Sequence, residues 1–269
     1  MICLSRIVPG AAAHKAKEVC WPLERRALRI KSGDTELSGE IFRPGGPAPL
    51  VVLCHGIPLS LPDPCDPGYP ELASRICESG RSVLFFNFRG TGGSGGDFSL
   101  GGWRRDLEAV MCLASEEAES GLYLAGFSAG GALAIRHAAE HGGVSGVAVF
   151  APPARFEDVF PREHTGAFIE LAREVGIIRD PRFPPSPDWF YQDLKGNAAI
   201  DWVQRLSPVP LLVVHGEDDQ VVPLEQGLRI YEAAGEPKML RVLPRGGHHL
   251  RHDSRSLECL LDWLDGMGG

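Results

Sequence analysis

The 269-residue sequence lacks the long apolar runs, the basic surplus and the signal-like start that characterise several classes of protein. No apolar run approaches the roughly 20 residues that a membrane-spanning helix requires. Residues 1–19 carry scattered charges and lack the apolar segment of about 7–15 residues that is typical of a signal peptide. Lys and Arg total 27 against 35 Asp and Glu, a net charge of −8, whereas phosphate binding needs clustered basic side chains. We therefore expect neither a membrane nor a nucleic-acid partner.

Paired cysteines are missing as well. The seven cysteines are an odd number, and none stands in a C-x-x-C pair. This usage is typical of a reducing compartment, which predicts a cytoplasmic protein. Four of the cysteines lie inside apolar segments, where we predict them to be small core residues: Cys54, Cys77, Cys112 and Cys259.

The sequence does contain a regular alternation of strand-like and helix-like segments. Two extended segments, 26–30 and 35–42, flank Ser32-Gly33-Asp34 and predict an antiparallel hairpin. Beyond it, buried strands alternate with helices, which predicts an α/β fold with a mostly parallel central sheet and helices on both faces. The predicted strands cover 50–54, 82–88, 122–125, 144–150, 211–214 and 239–243, and the predicted helices cover 69–79, 103–114, a stretch from 131, 224–234 and 254–264.

The region from Pro152 to Pro208 breaks this alternation. An insertion of this length between two core strands usually has a function or forms a subdomain. We therefore predict one domain over residues 1–269 with a small cap insertion at about 153–207. Aromatic side chains of the insertion could line a substrate pocket together with Phe127, or could pack on one another and seal the cap to the main domain: Phe183, Trp189, Phe190 and Tyr191.

The most informative stretch is Gly126-Phe127-Ser128-Ala129-Gly130, which places a serine between a predicted strand and a predicted helix. A side chain at such a sharp corner is exposed on a strained backbone, and small neighbours prevent clashes there. The helix that begins at the corner directs unpaired N–H groups and the positive end of its dipole toward whatever the serine attacks. This context predicts that Ser128 is a nucleophile.

A nucleophilic serine needs a histidine as its base and a carboxylate that orients the histidine. The loop after strand 211–214 contains Asp218 and Asp219, and the loop after the last predicted strand contains His248 and His249. Loops at the carboxyl ends of parallel strands converge on one edge of the sheet, so an acid and a histidine can meet the serine there. The order Ser, Asp, His is typical of such a fold. The residues alone leave the choice within each neighbouring pair open.

Four motifs resemble those of the α/β-hydrolase family, and within it the serine aminopeptidase-like and dienelactone hydrolase-like branch, which includes small esterases: His55-Gly56, 87–94, 126–130 and 216–223. The resemblance spans residues 26–264 and implies an α/β-hydrolase fold. It also implies that Asp219 is the acid and His248 the base. An oxyanion hole needs two backbone donors. Ala129, which follows the serine, supplies one N–H, and the family pattern places the other at Ile57.

Two other histidine patterns point elsewhere. His248 and His252 are four residues apart, as metal ligands on a helix are, but Gly246-Gly247 makes His248 a loop residue. We therefore expect no metal. His55 is expected to hold its own loop by hydrogen bonding and not to act as a base.

These observations together predict a serine hydrolase that cleaves a small-molecule carboxylic ester through an acyl-enzyme, with no cofactor. Aminopeptidase, amidase and thioesterase activities would use the same three residues, and a binding module on a hydrolase shell is the non-enzyme alternative. A homodimer is left open. An aminopeptidase would need an acidic pocket, and five acidic residues of the insertion could supply it or could form a solvated helix face: Glu157, Asp158, Glu163, Glu170 and Asp188.

Overall fold

The computed structural model describes residues 23–61, 63, 66 and 68–267. The expectation of no signal peptide concerns residues 1–19, which lie outside this part of the chain, as do Cys3, Cys20 and Cys65. Within the described part, each helix is either too short or too polar to cross a bilayer.

The fold is built on one eight-stranded sheet. Its strands are β1 (Glu24–Ser32), β2 (Thr35–Arg43), β3 (Leu50–Cys54), β4 (Ser82–Phe86), β5 (Leu122–Phe127), β6 (Gly146–Phe150), β7 (Leu211–Gly216) and β8 (Lys238–Leu243). Their order across the sheet is β1-β2-β4-β3-β5-β6-β7-β8. β2 pairs antiparallel with β1 and with β4, and the pairs from β4 to β8 are parallel. The predicted hairpin and the mostly parallel sheet are confirmed.

Helices cover both faces of the sheet, as predicted. They are α1 (Gly68–Glu78), α2 (Leu100–Glu117), α3 (Ala129–His141), α4 (Phe156–Val159), α5 (Thr165–Glu174), α6 (Pro187–Lys195), α7 (Leu224–Ala233) and α8 (Ser254–Gly266). Successive residues of β3 point to opposite faces, because side chains alternate along a strand. Val52 packs in the core cluster that includes α2 and α3, whereas Val51 and Leu53 pack in the cluster that includes α1 and α8.

The predicted ends of strands and helices differ from the observed ones by a turn of helix or less. The clearest case is β4, which ends at Phe86 although the predicted strand continues to Phe88. The N–H of Asn87 donates to the carbonyl of Ser38 at 2.8 Å, and that of Phe88 donates to Nε2 of His55 at 3.0 Å. The N–H of Phe88 thus donates to a side chain and not to a strand carbonyl, and β4 stops.

The prediction that four cysteines are core residues is confirmed for two of them and wrong for Cys112, while Cys259 packs at the edge of a core cluster. Cys54 and Cys77 are buried, but Cys112 is exposed and Cys259 is only partly buried. Successive residues of a helix are separated by about 100° around its axis. Cys112 follows Met111, which faces the core, and is therefore turned outward despite its apolar neighbours.

The chain between β6 and β7 contains α4, α5, α6 and three short 3₁₀ turns, at Arg162–His164, Ala199–Asp201 and Val203–Arg205. A further 3₁₀ turn, Leu250–His252, precedes α8. Apolar side chains of α5 and α6 join the same core cluster as α2 and α3: Phe168, Ile169, Ala172, Phe190 and Leu194.

Polar contacts also attach this inserted segment to the main part of the fold. Asp193 of α6 accepts hydrogen bonds from the N–H groups of Leu100 and Gly101 at 2.6 and 2.9 Å, and so caps the start of α2. Arg179 donates to the carbonyls of Ser94 and Gly90 at 3.0 and 3.1 Å. The single-domain description and the cap limits of about 153–207 stay predictions.

Candidate active site

Ser128 occupies the corner between β5 and α3. Its backbone has φ 50° and ψ −122°, a strained conformation for a residue that carries a Cβ. The chain can turn this sharply only because its neighbours are small. A Cβ at Gly126 would lie 2.5 Å from the carbonyl oxygen of Gly130, and a Cβ at Gly130 would lie 2.5 Å from that of Cys54. The corner leaves Ser128 partly exposed while the residues on either side are buried.

The loops after β7 and β8 bring two predicted partners together with Ser128. Nε2 of His248 lies 3.1 Å from Oγ of Ser128, and Nδ1 of the same ring lies 2.8 Å from Oδ2 of Asp219. Both are hydrogen-bond distances. Because a carboxylate only accepts, Nδ1 of His248 carries the hydrogen and Nε2 is available to accept one from the serine hydroxyl.

Asp219 is buried, and both of its carboxylate oxygens accept hydrogen bonds. Its Oδ1 accepts hydrogen bonds from the N–H groups of Val221 and Val222 at 2.9 and 2.8 Å. Burial raises the pKa of the Asp219 carboxyl, but the contacts with His215, His248 and the Val222 amide outweigh burial and hold that pKa well below its usual range. The carboxylate is therefore ionised at neutral pH and can orient a histidine.

Asp218 and His249, the sequence neighbours of this pair, are exposed. Neither side chain has a hydrogen bond to Ser128 among the contacts of the described residues. The structure thus brings Asp219 and His248 to the serine and leaves their neighbours outside.

Close approach of the β7 and β8 loops depends on glycine. A Cβ at Gly216 would overlap the carbonyl oxygens of Gly246 and Gly247. The N–H of Asp218 donates to the carbonyl of Gly246 at 2.9 Å, which ties the two loops together. A larger residue at position 216 would push apart the loops that carry the acid and the histidine.

The loop that contains Ile57 passes directly beside Ser128. A Cβ at Gly56 would lie 3.0 Å from the Cβ of Ser128 and 3.7 Å from its Oγ. Ile57 follows Gly56, and Ala129 is the first residue of α3. Ile57 and Ala129, the two predicted oxyanion donors, are therefore the residues that directly follow Gly56 and Ser128, which approach each other here. Their role as donors stays a prediction.

His55 holds this loop. The N–H of Phe88 donates to Nε2 of His55 at 3.0 Å, so the hydrogen of the neutral ring is on Nδ1, which lies 2.7 Å from the carbonyl oxygen of Gly56. A peptide group is planar, so this bond also fixes the direction of the Ile57 N–H. Burial lowers the pKa of His55 to about 4, and the ring stays neutral near pH 7.

The prediction that Phe190 lines a substrate pocket is wrong. Its side chain is 0% exposed and packs 5.8 Å from the ring of Phe98, so it is a core residue. Phe127 is also buried and stacks on Phe150 with ring centroids 4.6 Å apart. Aromatic side chains of this size contribute to stability mainly through buried area.

The remaining pocket candidates are nearer the surface. Phe183 packs edge-on against Trp189 with ring centroids 5.5 Å apart, and Trp189 is 41% exposed. The guanidinium of Arg162 lies 5.8 Å from the ring centroid of Tyr191. Contact with a substrate stays a prediction for these three aromatic residues.

His215 is a site residue that the sequence patterns do not single out. It is the residue before Gly216 at the end of β7, and its Nε2 lies 3.5 Å from Oδ2 of Asp219. The only signal in the sequence is a histidine at the end of an apolar strand.

No three His, Cys, Asp or Glu side chains of the described chain are grouped so that they could hold a metal ion, and His252 lies 3.9 Å from Asp66.

Comparisons with known proteins agree with this architecture. The family described as serine aminopeptidase, S33, matches residues 45–176. Uncharacterized protein Rv2307c of Mycobacterium tuberculosis is 30% identical over 252 residues, covering 90% of this chain and 78% of that protein. The crystal structure of α/β hydrolase GrgF from Penicillium sp. sh18 is similar with a TM-score of 0.72 at 23% identity, covering 91% of this chain and 98% of that one. This chain belongs to the α/β-hydrolase superfamily.

A more distant relative of this α/β hydrolase is lysophosphatidylserine lipase ABHD12 of Danio rerio, 28% identical over 179 residues. The alignment covers 63% of this chain and 44% of the lipase. In the present chain, the Ser128 hydroxyl, the His248 imidazole and the ionised Asp219 carboxylate form a continuous set of contacts at the start of α3. Such an arrangement can activate a hydroxyl for attack on a carbonyl carbon.

Proposed function

We propose that this α/β hydrolase is a serine carboxylesterase that cleaves small carboxylic esters through an acyl-enzyme intermediate. The observation that carries the proposal is the continuous chain of contacts from Oγ of Ser128, through both ring nitrogens of His248, to Asp219. A serine hydroxyl is a weak nucleophile until an adjacent base removes its proton. This chain supplies the base and the carboxylate that orients it.

In the acylation half of the proposed reaction, Oγ of Ser128 attacks the ester carbonyl carbon while Nε2 of His248 accepts the hydroxyl proton. Asp219 stays ionised and stabilises the imidazolium. The N–H groups of Ile57 and Ala129 donate to the oxyanion of the tetrahedral intermediate. Its collapse breaks the bond to the alcohol oxygen, which takes the proton from His248 and leaves.

Deacylation repeats these steps with water. His248 accepts a proton from the water as its oxygen attacks the acyl carbonyl of modified Ser128. The second tetrahedral intermediate collapses, the carboxylic acid leaves, and Oγ regains its proton from His248.

Two observations support an ester as the bond that is cleaved. The zebrafish relative is named a lysophosphatidylserine lipase. In addition, four of the five acidic residues proposed for an amine pocket form ion pairs with arginines, which reduces the charge they could offer a substrate amine: Glu157 with Arg155, Asp158 with Arg229, Glu170 with Arg173 and Asp188 with Arg162.

Aminopeptidase activity is the second candidate, because the matching family is described as serine aminopeptidase. An aminopeptidase would use the same three residues, and its substrate would be a peptide bond next to a free amine. A series of p-nitrophenyl esters of increasing acyl length, measured beside a thioester and an aminoacyl p-nitroanilide, separates the candidates. We expect the highest kcat/KM for a short-chain ester, and a higher value for the anilide would instead favour the aminopeptidase.

The nucleophile is tested with Ser128→Ala and a fluorophosphonate probe. We expect the unmodified protein to hydrolyse p-nitrophenyl butyrate and to be labelled, and Ser128→Ala to do neither. Ser115→Ala is the matched control, because within the described part of the chain the Ser115 hydroxyl bonds only the carbonyl of Met111 in α2. Full activity in Ser128→Ala would overturn the proposal, and an unmodified protein without labelling or turnover would favour a binding module.

A further inference from the structure

His215 is a buried histidine that the proposed reaction does not use. Its side chain is 0% exposed, and its Nε2 lies 2.9 Å from the carbonyl oxygen of Val222. A carbonyl oxygen only accepts, so Nε2 of His215 carries the hydrogen and donates it. The same nitrogen lies 3.5 Å from Oδ2 of Asp219, the oxygen that His248 contacts at 2.8 Å.

The Nδ1 side of the His215 ring packs against α7. Among the described residues, Nδ1 of His215 has no hydrogen-bond partner, and a Cβ at Gly227 of α7 would overlap it. A hydrogen on Nδ1 would therefore be a buried, unpaired donor, which costs free energy. The packing of α7 against the ring thus keeps the hydrogen on Nε2, facing Val222 and Asp219.

Val222 connects the histidine to the acid. Its N–H donates to Oδ1 of Asp219 at 2.8 Å, and its carbonyl accepts from His215 at 2.9 Å. Val222 is 2% exposed, so no solvent would replace either bond. One residue therefore links the strand histidine to the carboxylate, and the position of that residue sets the rotation of the carboxylate.

We infer that His215 is a positioning residue that holds the 219–222 loop so that Asp219 presents Oδ2 to His248. The inference rests on the proposed function, because it matters for catalysis only if Asp219 orients His248. His215 does not touch the reacting atoms. It acts through Val222 and through its contact with Oδ2.

Glutamine and leucine separate a donating role from a space-filling role. The side-chain amide nitrogen of glutamine can occupy the place of Nε2 and donate to Val222. Leucine fills a similar volume but leaves the buried Val222 carbonyl unpaired. His137 offers the matched control, since it is a second buried histidine with an unpaired Nδ1 and has no contact with Asp219 or His248 among its described contacts.

The kinetic test compares His215→Leu, His215→Gln and His137→Leu with p-nitrophenyl butyrate. We expect His215→Leu to lower kcat about tenfold or more with little change in KM, because a small misplacement of a catalytic group has a large effect on rate. His215→Gln should recover most of this loss, and His137→Leu should keep the original kcat. Equal losses in His215→Leu and His215→Gln, or no loss in either, would overturn the inference.

A second readout does not depend on turnover. The hydrogen on Nδ1 of His248 is shared in the hydrogen bond to Asp219 and should give a low-field proton resonance in the NMR spectrum. We expect this resonance to shift or broaden in His215→Leu and to persist in His215→Gln. An unchanged resonance in His215→Leu would contradict the inference. If the leucine variant does not fold, Gly227→Ala takes its place in both measurements, because it displaces the ring without removing it.

The two proposals fail in different ways. If Ser128→Ala retains full turnover, the proposed function fails, while the resonance of His248 still reports whether His215 positions Asp219. If Ser128→Ala is inactive and His215→Leu retains both kcat and the resonance, only the inference about His215 fails.

Discussion

The loops that carry Ser128, Asp219 and His248 are held together differently from the inserted segment 153–207. The loops meet through close backbone approaches that glycine allows, and their side chains contact one another through single hydrogen bonds. The inserted segment is attached by apolar packing of α5 and α6 and by charged side chains such as Asp193. A small displacement would break the first arrangement, whereas the second is spread over many contacts. We therefore expect activity to respond most to changes in the loops, and stability most to changes in the core of the insertion.

The largest expected effect separates two neighbouring acids of one loop. Asp219→Asn should lower kcat by about 10⁴-fold, the magnitude known for the equivalent change in a serine protease, because an amide cannot hold the histidine in the required tautomer. Asp218→Asn should leave kcat nearly unchanged, since Asp218 is exposed. Steady-state kinetics with p-nitrophenyl butyrate measures both. An inactive Asp218→Asn beside an active Asp219→Asn would reverse the assignment.

Two neighbouring aromatics of α6 separate core from surface in the insertion. Phe190→Ala should lower the free energy of unfolding by about 3–5 kcal/mol, because a fully buried aromatic leaves a cavity. Trp189→Ala should cost much less, since Trp189 is 41% exposed. Urea denaturation followed by circular dichroism gives both values. Similar losses in the two variants would contradict the different burial of these side chains.

The substitution of glycine by alanine can be compared at one position in each of the two regions. Gly216→Ala should lower the free energy of unfolding by about 1–3 kcal/mol and reduce kcat, because the added methyl group overlaps the backbone of the β8 loop. Gly166→Ala on α5 meets no atom within 4 Å and should stabilise the helix by about 0.5–1 kcal/mol. Thermal unfolding and ester hydrolysis of each variant test the pair. A fully active Gly216→Ala would argue that the loops tolerate displacement.

The smallest expected effect is a pH dependence of opposite sign in the two regions. The pKa of Asp219 is lowered in the folded protein, so its ionised form adds stability above the unfolded pKa of about 4, and this is lost as the pH falls toward the folded pKa. Burial raises the pKa of Asp193, so its ionised form costs stability, and that cost disappears as the pH falls through the raised pKa.

The unfolding free energy of the unmodified protein relative to two variants should therefore change in opposite directions between pH 7 and pH 3. The advantage over Asp219→Asn should shrink as the pH falls. The unfolding free energy of the unmodified protein relative to that of Asp193→Asn should increase as the pH falls. Parallel pH dependences in the two comparisons would contradict the opposite pKa shifts.

Much of the fold could be predicted because its signals are local. Continuous apolar runs and the glycines at their ends predict the strands, and the hairpin turn at Gly33 predicts β1 and β2. Errors arose where burial depends on a neighbour distant in sequence. Cys112 lies in an apolar stretch yet faces solvent, and Phe190 beside the exposed Trp189 is buried against Phe98 of another segment. The i, i+4 spacing of Phe190 and Leu194 is the one signal in the sequence of α6 that indicates its buried face.

By itself, the sequence determined a serine at a strand-to-helix corner, an alternating α/β order, and the glycines that permit tight turns. These depend on the conformations of adjacent residues, which a short stretch of chain specifies. The family resemblance implied Asp219 and His248, but only the tertiary structure decided that these two, and not their neighbours, contact each other and Ser128. These contacts join residues 29 and 120 positions apart. They also depend on how loops converge at the edge of a parallel sheet. The contact of His215 with the same carboxylate was decided in this way too, because it needs α7 behind the ring and the 219–222 loop in front of it.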